Sequence, residues 1–333
     1  MKIVIFGAGK DGIKALKDIG KENISFFIDN YKAGGILEGI PIFSLQQIVK
    51  ENKKDLLIFV ASSKYKSEII AQLEENCYTN YCIYMNGFIS RNKNERLSIE
   101  QWGNIYNESI LEDVVNNLKK DCFSIQTKEI IKITQRGEHV LEIGCGSGES
   151  SLALAKEGRQ VSVVDYSAKS ICLVSRIAEQ MGYEIKTYCI DAFDDLPFKD
   201  QEFDVVFQAG LLEHFEKEQR IEILGKWRRI CKRMISMIPN AHSLAYRAGK
   251  RLQEDMGIWP WGLELPQSSL MDEFKQAGYT DIYEYSIGAQ KALDFLPKNH
   301  YLRIAIEHWL NEVDDIKDYG QGYLLVTSAN NPG

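Results

Sequence analysis

The sequence predicts an α/β protein made of two successive parallel-sheet units, a small one followed by a larger one. Three observations carry that reading. Short β-branched and aromatic runs alternate with helical stretches of roughly ten residues along most of the chain. Each series opens with a glycine-rich turn between its first strand and first helix, at Gly7–Gly12 and at Gly144–Gly148. A polar, charge-rich stretch, residues 89–100, separates the two as a linker would.

The first series, residues 1–88, begins with the strand Lys2–Phe6, the glycine turn and a helix to about Gly20. The strand Ser25–Asp29 follows, then a glycine-rich stretch over 34–39 that ends at Pro41, and a helix over 44–52. The wholly apolar strand Leu56–Ala61, a helix from Ser67 to Asn76 and a short strand at 81–84 complete it. The second series occupies 101–333. Helices are predicted over Ile110–Lys120 and Ile125–Gln135, then the strand from His139, the turn Gly144–Gly148 and a helix over Ser150–Glu157. Next come the strand Val161–Asp165, a helix over Ala168–Met181, the strand Glu184–Asp191 and the strand Phe203–Ala209. A helix at Gln219–Cys231 precedes the strand Met234–Asn240. The pattern then breaks at an insertion, 240–266, resumes with a helix over 269–279 and a strand over 281–288, and breaks again over 289–321 before a last strand from Tyr323.

Composition excludes several classes. The chain has 333 residues, 44% hydrophobic, with 7 prolines, so it is neither mainly disordered nor collagen-like. The formal net charge of −7 resides in the second series, which speaks against a broad nucleic-acid-binding surface. No apolar run approaches a membrane span, and the opening MKIVIFGAGKDG is not of signal-peptide type. Seven scattered cysteines form no CxxC pair and no zinc spacing, so reduced thiols, no metal and a cytoplasmic location are expected.

The stretch Val140-Leu-Glu-Ile-Gly-Cys-Gly-Ser-Gly148 puts Glu142 before glycines 144, 146 and 148 and includes Cys145. Glycines there let the backbone turn sharply and approach a ligand where a Cβ would collide; a turn with no ligand explains the same pattern. Asp165, followed by Tyr166, ends the next strand, where a carboxylate can accept hydrogen bonds from ribose hydroxyls. Asp191 and Ala192 end the third strand, and Gln208-Ala-Gly210 the fourth.

With LEIGCGSG, VVDYS, IDAFDDLPFKDQEFDVVFQAGLLEHF and SMIPN in this order, residues 100–333 resemble the class I S-adenosylmethionine-dependent methyltransferases, in particular the small-molecule group. The resemblance implies a seven-stranded sheet with the last strand antiparallel. It implies that Glu142 and Gly144–Gly148 border the methionine part of S-adenosylmethionine, that Asp165 holds the ribose and Asp191 with Ala192 the adenine. Gln208 and Gly210 would then lie near the sulfonium. The absence of GKS or GKT after the turn argues against a P-loop enzyme. No NPPY-type tetrad follows the fourth strand, which lowers the case for methylation of nucleic-acid bases. His214, in Leu212-Glu-His-Phe215, is the first candidate for a general base, and His242 the second.

In the first series, Gly7, Gly9 and Gly12 follow a strand and open a helix, and Asp29 ends the second strand, the context of a nucleotide-binding turn. Residues 1–88 also resemble the small Rossmann-like N-terminal domain of bacterial nucleotide-sugar acetyltransferases. That resemblance implies binding by Gly7–Gly12, Asp29 and the loop with Ser62 and Lys64, but not acetyl transfer, since no hexapeptide repeat follows. A module that only packs or pairs two copies of the chain is the competing reading. Together the two halves point to methyl transfer onto a small molecule or saccharide, with a nucleotide-linked sugar of surface-glycan synthesis as the most concrete acceptor. A non-catalytic S-adenosylmethionine-binding sensor and a nicotinamide-dependent oxidoreductase are the alternatives. Two further features stay open: the basic run Lys226–Arg233, read as a solvated helix face or a phosphate contact, and Trp259-Pro-Trp-Gly262, read as a lid over the acceptor or as ordinary packing.

Overall fold

The computed structural model describes residues 2–49, 53–62, 64–78, 81–84, 96–256, 258–312 and 320–333. Most of the expected linker 89–100, and Ser63, lie outside these residues. The chain divides into two compact units. One comprises residues 1–93 with 249–262 and 295–305; the other comprises 94–248, 263–294 and 306–333. Parts of both insertions thus group with the first unit. Met256 and Ile258 pack on its core, and Gly249 sits so close to Phe295 that a Cβ would come within 2.4 Å of the Phe295 carbonyl oxygen.

The first unit contains β1 (Lys2–Phe6), β2 (Ile24–Ile28), β3 (Ile36–Leu37), β4 (Ile40–Phe43), β5 (Leu56–Val60) and β6 (Tyr81–Ile83), in the order β3-β4-β2-β1-β5-β6. All pairings are parallel except β3 with β4. That edge hairpin was not expected from the glycine-rich stretch. Its two turn residues, Glu38 and Gly39, both have left-handed φ, 53° and 80°, the geometry of a tight two-residue hairpin turn. The sheet is buried on both faces. Val4, Phe6, Phe26 and Ile58 point to one apolar cluster, and Ile5, Phe27, Leu57 and Phe59 to the other. The helix expected over 44–52 is short, Leu45–Ile48, started by a capping box between Ser44 and Gln47.

The second unit contains β7 (His139–Ile143), β8 (Gln160–Asp165), β9 (Ile185–Cys189), β10 (Phe203–Ala209), β11 (Cys231–Pro239), β12 (Thr280–Ile287) and β13 (Leu324–Asn330). Their order is β12-β13-β11-β10-β7-β8-β9, and β13 alone runs against its neighbours. This is the expected seven-stranded sheet with its last strand antiparallel. Alternation along the strands separates two cores. Val140, Val163, Phe207 and Met237 face one, while Leu141, Ile143, Val206 and Ile238 face the other. The helix expected at Gln219–Cys231 is instead Lys217–Arg228. Ile230 and Cys231 are fully buried, and Phe203 donates its amide to the Ile230 carbonyl at 3.0 Å, so the chain enters β11 earlier than its apolar run alone suggests. No helix of the described residues is long and apolar enough to cross a membrane.

The basic run Lys226–Arg233 is consumed by intramolecular contacts. Arg229 pairs with Asp200 at 2.9 Å and donates to the Phe198 and Leu196 carbonyls, Lys232 pairs with Asp204 at 2.8 Å, and Arg233 reaches Glu138 at 3.5 Å.

The first glycine turn is built for close approach. Gly7 has φ +114°, and a Cβ on Gly12 would stand 1.9 Å from the Gly7 carbonyl oxygen. Gly12→Ala should therefore speed hydrogen exchange of the β1 amides by roughly tenfold or more, the equivalent of the ~1–3 kcal/mol lost at an overpacked site. Exchange equal to the parent would show that the turn yields without cost.

Candidate active site

The second glycine turn lies at the carboxyl ends of β7 and β8, where open α/β sheets place their ligands. Gly144 donates its amide to the Val164 carbonyl at 2.8 Å, and Gly148 closes the turn onto the Cys145 carbonyl at 2.7 Å. The three glycines have left-handed φ of 73°, 51° and 69°. Asp165, at the end of β8, is buried and accepts the amides of Gly146 at 3.0 Å and Ser167 at 2.8 Å. Burial raises its pKa, against the pull of these two donors.

A cavity of about 610 Å³ opens over this turn. Of the residues singled out from the sequence, Glu142, Gly144, Cys145, Gly146, Asp165, Tyr166, Asp191, Ala192, Gly210 and His214 line it. Three do not. Gly148 is used for packing: a Cβ there would meet Val174 Cγ2 at 2.4 Å, so the helix Ala168–Met181 occupies the space. Gln208 is fully buried and holds the chain after β10, donating to Ser236 at 2.5 Å and accepting the Leu211 amide at 2.8 Å. An amide that must satisfy buried backbone donors is not available at a sulfonium. His242 is exposed, its amide bonded to Asn240 Oδ1 at 2.9 Å, and it stands outside the cavity. Trp259 likewise does not line the cavity; it is buried in the first unit beside Phe295, with Lys250 over its ring.

The walls are acidic and aromatic. Glu142 is 4% exposed, accepts the Ser151 hydroxyl at 2.5 Å, and is pushed up to about 8 by burial. Burial also pushes the Cys145 thiol up, so this cysteine is not a thiolate nucleophile. Asp191 accepts the Phe193 amide at 2.9 Å, while Trp227 anchors the next residue by donating to the Ala192 carbonyl at 3.1 Å. Trp102 and Tyr106 stack with ring centroids 6.0 Å apart, and Tyr106 lies on Gly146, where a Cβ would come within 2.9 Å of its ring. Trp102 also meets the His214 ring edge-on at 5.3 Å. His214 sits on the short turn Leu212–His214 after β10, with Nδ1 2.6 Å from the Leu263 carbonyl oxygen. A carbonyl cannot donate, so Nδ1 carries the proton and Nε2 is the basic nitrogen of the neutral ring.

Sequence patterns missed part of the lining: Arg96, which covers the Phe215 ring at 5.1 Å, and the polar group Ser124, Thr127, Glu149 and Ser150. Thr127 donates to Glu149 at 2.8 Å and lies 2.8 Å from the Ser150 hydroxyl. Only the helix cap at Ser124 hinted at this group. In the first unit, Asp29 accepts the amides of Ala8 (2.9 Å), Tyr31 and Lys32, and Ser62 accepts the Tyr65 amide at 3.1 Å. Lys64 lies over the Tyr65 ring at 5.3 Å, and a Cβ on Gly9 would meet nothing within 4 Å. Among the described residues no group of three or more His, Cys, Asp or Glu is placed to hold a metal ion.

The raised pKa of Glu142 has a consequence for stability. The folded chain keeps this proton longer than the unfolded chain, so stability falls as pH rises from about 4.5 towards about 8 and then levels off. Glu142→Gln should remove that component. Urea midpoints at pH 5 and pH 8 should shift less in the variant than in the parent, and equal shifts would mean that Glu142 ionises normally in the fold.

Residues 140–234 match the family model described as a methyltransferase domain. A ubiquinone biosynthesis O-methyltransferase of Coxiella burnetii is 42% identical over 91 residues, 27% of this chain and 38% of that protein. A mouse protein named "Probable tRNA methyltransferase 9B" is 25% identical over 173 residues, 50% of this chain and 35% of that one. The chain thus spans less than two fifths of the length of either relative. Among solved structures, a Pyrococcus horikoshii protein aligns with 62% of this chain and 88% of its own at 20% identity and a TM-score of 0.44. A Thermotoga maritima S-adenosylmethionine-dependent methyltransferase aligns with 62% and 87% at 19% identity and a TM-score of 0.43. With its strand order, its glycine turn and the matched residues at its centre, the seven-stranded sheet is that of a class I S-adenosylmethionine-dependent methyltransferase domain.

Proposed function

We propose that this protein transfers the methyl group of S-adenosylmethionine to a hydroxyl of a small molecule, a saccharide being the acceptor we favour. The observation that carries this reading is the cavity that joins the glycine turn to a histidine with its Nδ1 proton tied to a carbonyl. The residues suit the cofactor. It bears a sulfonium and an ammonium group and no phosphate. Among the described lining residues Glu142, Glu149, Asp165 and Asp191 are acidic, and Arg96 is the one arginine or lysine. Asp165 keeps spare lone pairs beyond its two backbone donors and would take ribose hydroxyls. Asp191 and Ala192 would hold the adenine, with Phe193 and Phe215, whose rings meet at 5.0 Å, beside it. Gly144 and Gly146 would let the methionine part lie against the backbone.

When bound, S-adenosylmethionine supplies an electrophilic methyl group in line with the acceptor oxygen. Alignment does most of the work in such a displacement. His214 would take the hydroxyl proton on Nε2, with the Leu263 carbonyl stabilising the imidazolium through Nδ1. Trp102 and Tyr106 would exclude water from the transfer.

The nucleotide-linked-sugar form of this proposal draws on the first unit, where the open face of Gly9 would let a nucleotide approach the turn tied by Asp29. Turnover screens across nucleotide-sugars, free glycans and phenolic hydroxyls discriminate among acceptors, and no methylation of any of them would favour a binding protein.

Two outcomes are expected of variants. Asp165→Ala should weaken S-adenosylhomocysteine binding by ~1.5–3 kcal/mol in calorimetry, the range for hydrogen bonds to charged groups. Unchanged affinity would remove Asp165 from the cofactor site. On the acceptor found by the screen, His214→Gln should lose about 10²–10⁴-fold in kcat while keeping cofactor affinity. Parent-like turnover across pH 6–9 would exclude it as the base.

A further inference from the structure

Behind His214 lies a buried acidic pair that cofactor binding does not use. Glu213 and Glu264 are 3% and 6% exposed, and neither lines the cavity. Backbone bonds bring them side by side. His214 Nδ1 donates to the Leu263 carbonyl at 2.6 Å, and Leu265 donates its amide to the Glu213 carbonyl at 2.7 Å. The segment 263–265 is therefore fastened to the turn 213–214 on both sides of Glu264. The Tyr246 hydroxyl donates to Glu264 Oε1. One Glu213 carboxyl oxygen, Oε2, is buried with no hydrogen-bond partner.

Two buried carboxylates this close cannot both ionise without severe repulsion. Burial, and then the charge of Glu264, hold the Glu213 carboxyl well above its usual range. The other titratable groups facing the pair are His214 on the same turn, Tyr246 of the helix Leu244–Asp255, Tyr323 before β13 and Tyr106 after the helix Ile99–Ile105. The tyrosines are neutral in the working range, their own pKa values raised by burial and by these carboxylates.

Building on the reading of His214 as base, we propose that Glu213 and Glu264 are positioning residues that hold one proton between them, and that this proton keeps the segment 263–265 fastened to the turn and His214 in its Nδ1–H form. With one proton the pair carries a single charge, which the Tyr246 hydroxyl satisfies at Glu264. Loss of that proton puts two charges in the same buried space, pushes Glu264 from Glu213, and strains the Leu265–Glu213 and His214–Leu263 bonds together. The base would then lose its fixed tautomer at alkaline pH although its own nitrogens have not titrated.

The test is tautomer-resolved nitrogen NMR of the histidines in the full chain from pH 6 to 10, with the His214 signals assigned by His214→Gln. In the parent, the ratio of Nδ1–H to Nε2–H tautomers at His214 should fall by about fivefold on the alkaline side, the equivalent of losing one neutral hydrogen bond. Glu264→Gln, which can carry no second charge, should abolish that change. Tyr246→Phe removes the donor that favours ionised Glu264, should move the change to higher pH, and serves if Glu264→Gln does not fold. The same tautomer ratio in parent and variant at every pH would overturn the proposal. So would a change that Tyr246→Phe leaves at the parent's pH. Failure of His214 as base appears elsewhere, as parent-like turnover of His214→Gln, and leaves this measurement unaffected.

Discussion

In both sheets a carboxylate at the end of the second strand accepts the amide of a residue in the glycine turn that follows the first strand. Asp29 takes the Ala8 amide at 2.9 Å, and Asp165 takes the Gly146 amide at 3.0 Å. Each bond pins the turn to the carboxyl edge of its sheet and satisfies a donor that a ligand-facing turn would otherwise leave unpaired. The two sites differ in burial. Asp29 is half-buried, with the Lys32 ammonium 2.6 Å from the Ala8 carbonyl. Asp165 is buried at the wall of a cavity and has no such cation recorded beside it. A hydrogen bond to a charged group contributes ~1.5–3 kcal/mol, and in the second sheet that contribution has to offset the cost of desolvating the carboxylate.

From that fixed turn the rest of the candidate active site is held by buried polar contacts at each strand end. Ser151 donates to Glu142 below the turn, Gln208 gathers two backbone amides after β10, and Trp227 fastens Ala192 after β9. Such bonds position loops that would otherwise wander, and they act far more as geometry than as net stability. Aromatic packing then covers the turn: Tyr106 lies on Gly146, Trp102 on Tyr106, and His214 against Trp102. The glycine at 146 serves two neighbours at once, since a side chain there would displace the tyrosine as well as a ligand.

The insertions are organised differently from the regular pattern around them. The segment 263–265 joins the turn that carries His214, whereas 249–262 and 295–305 belong to the first unit with its own core. Apolar residues such as Trp259 and Ile258 explain the split, because they find their burial on that core. An insertion in sequence is therefore not one piece in space.

The sequence by itself determined the fold class, the two glycine turns, the order and faces of most strands, and the carboxylates Glu142, Asp165 and Asp191 at strand ends. These follow from local rules: period-two alternation, glycine's access to positive φ, and the run-lengths of strand and helix. It also placed His214 near the cavity, because a residue just past a strand end must lie at the sheet's carboxyl edge. Only the tertiary structure decided that Gln208 supports backbone amides, that His242 faces solvent, that Gly148 makes room for Val174, and that Trp259 packs in the first unit. It likewise brought Glu213 beside Glu264 and set the proton of His214 on Nδ1. These outcomes depend on partners far away in the chain, 49 residues in the case of His214 and Leu263, and no local pattern encodes which distant carbonyl or carboxylate will arrive.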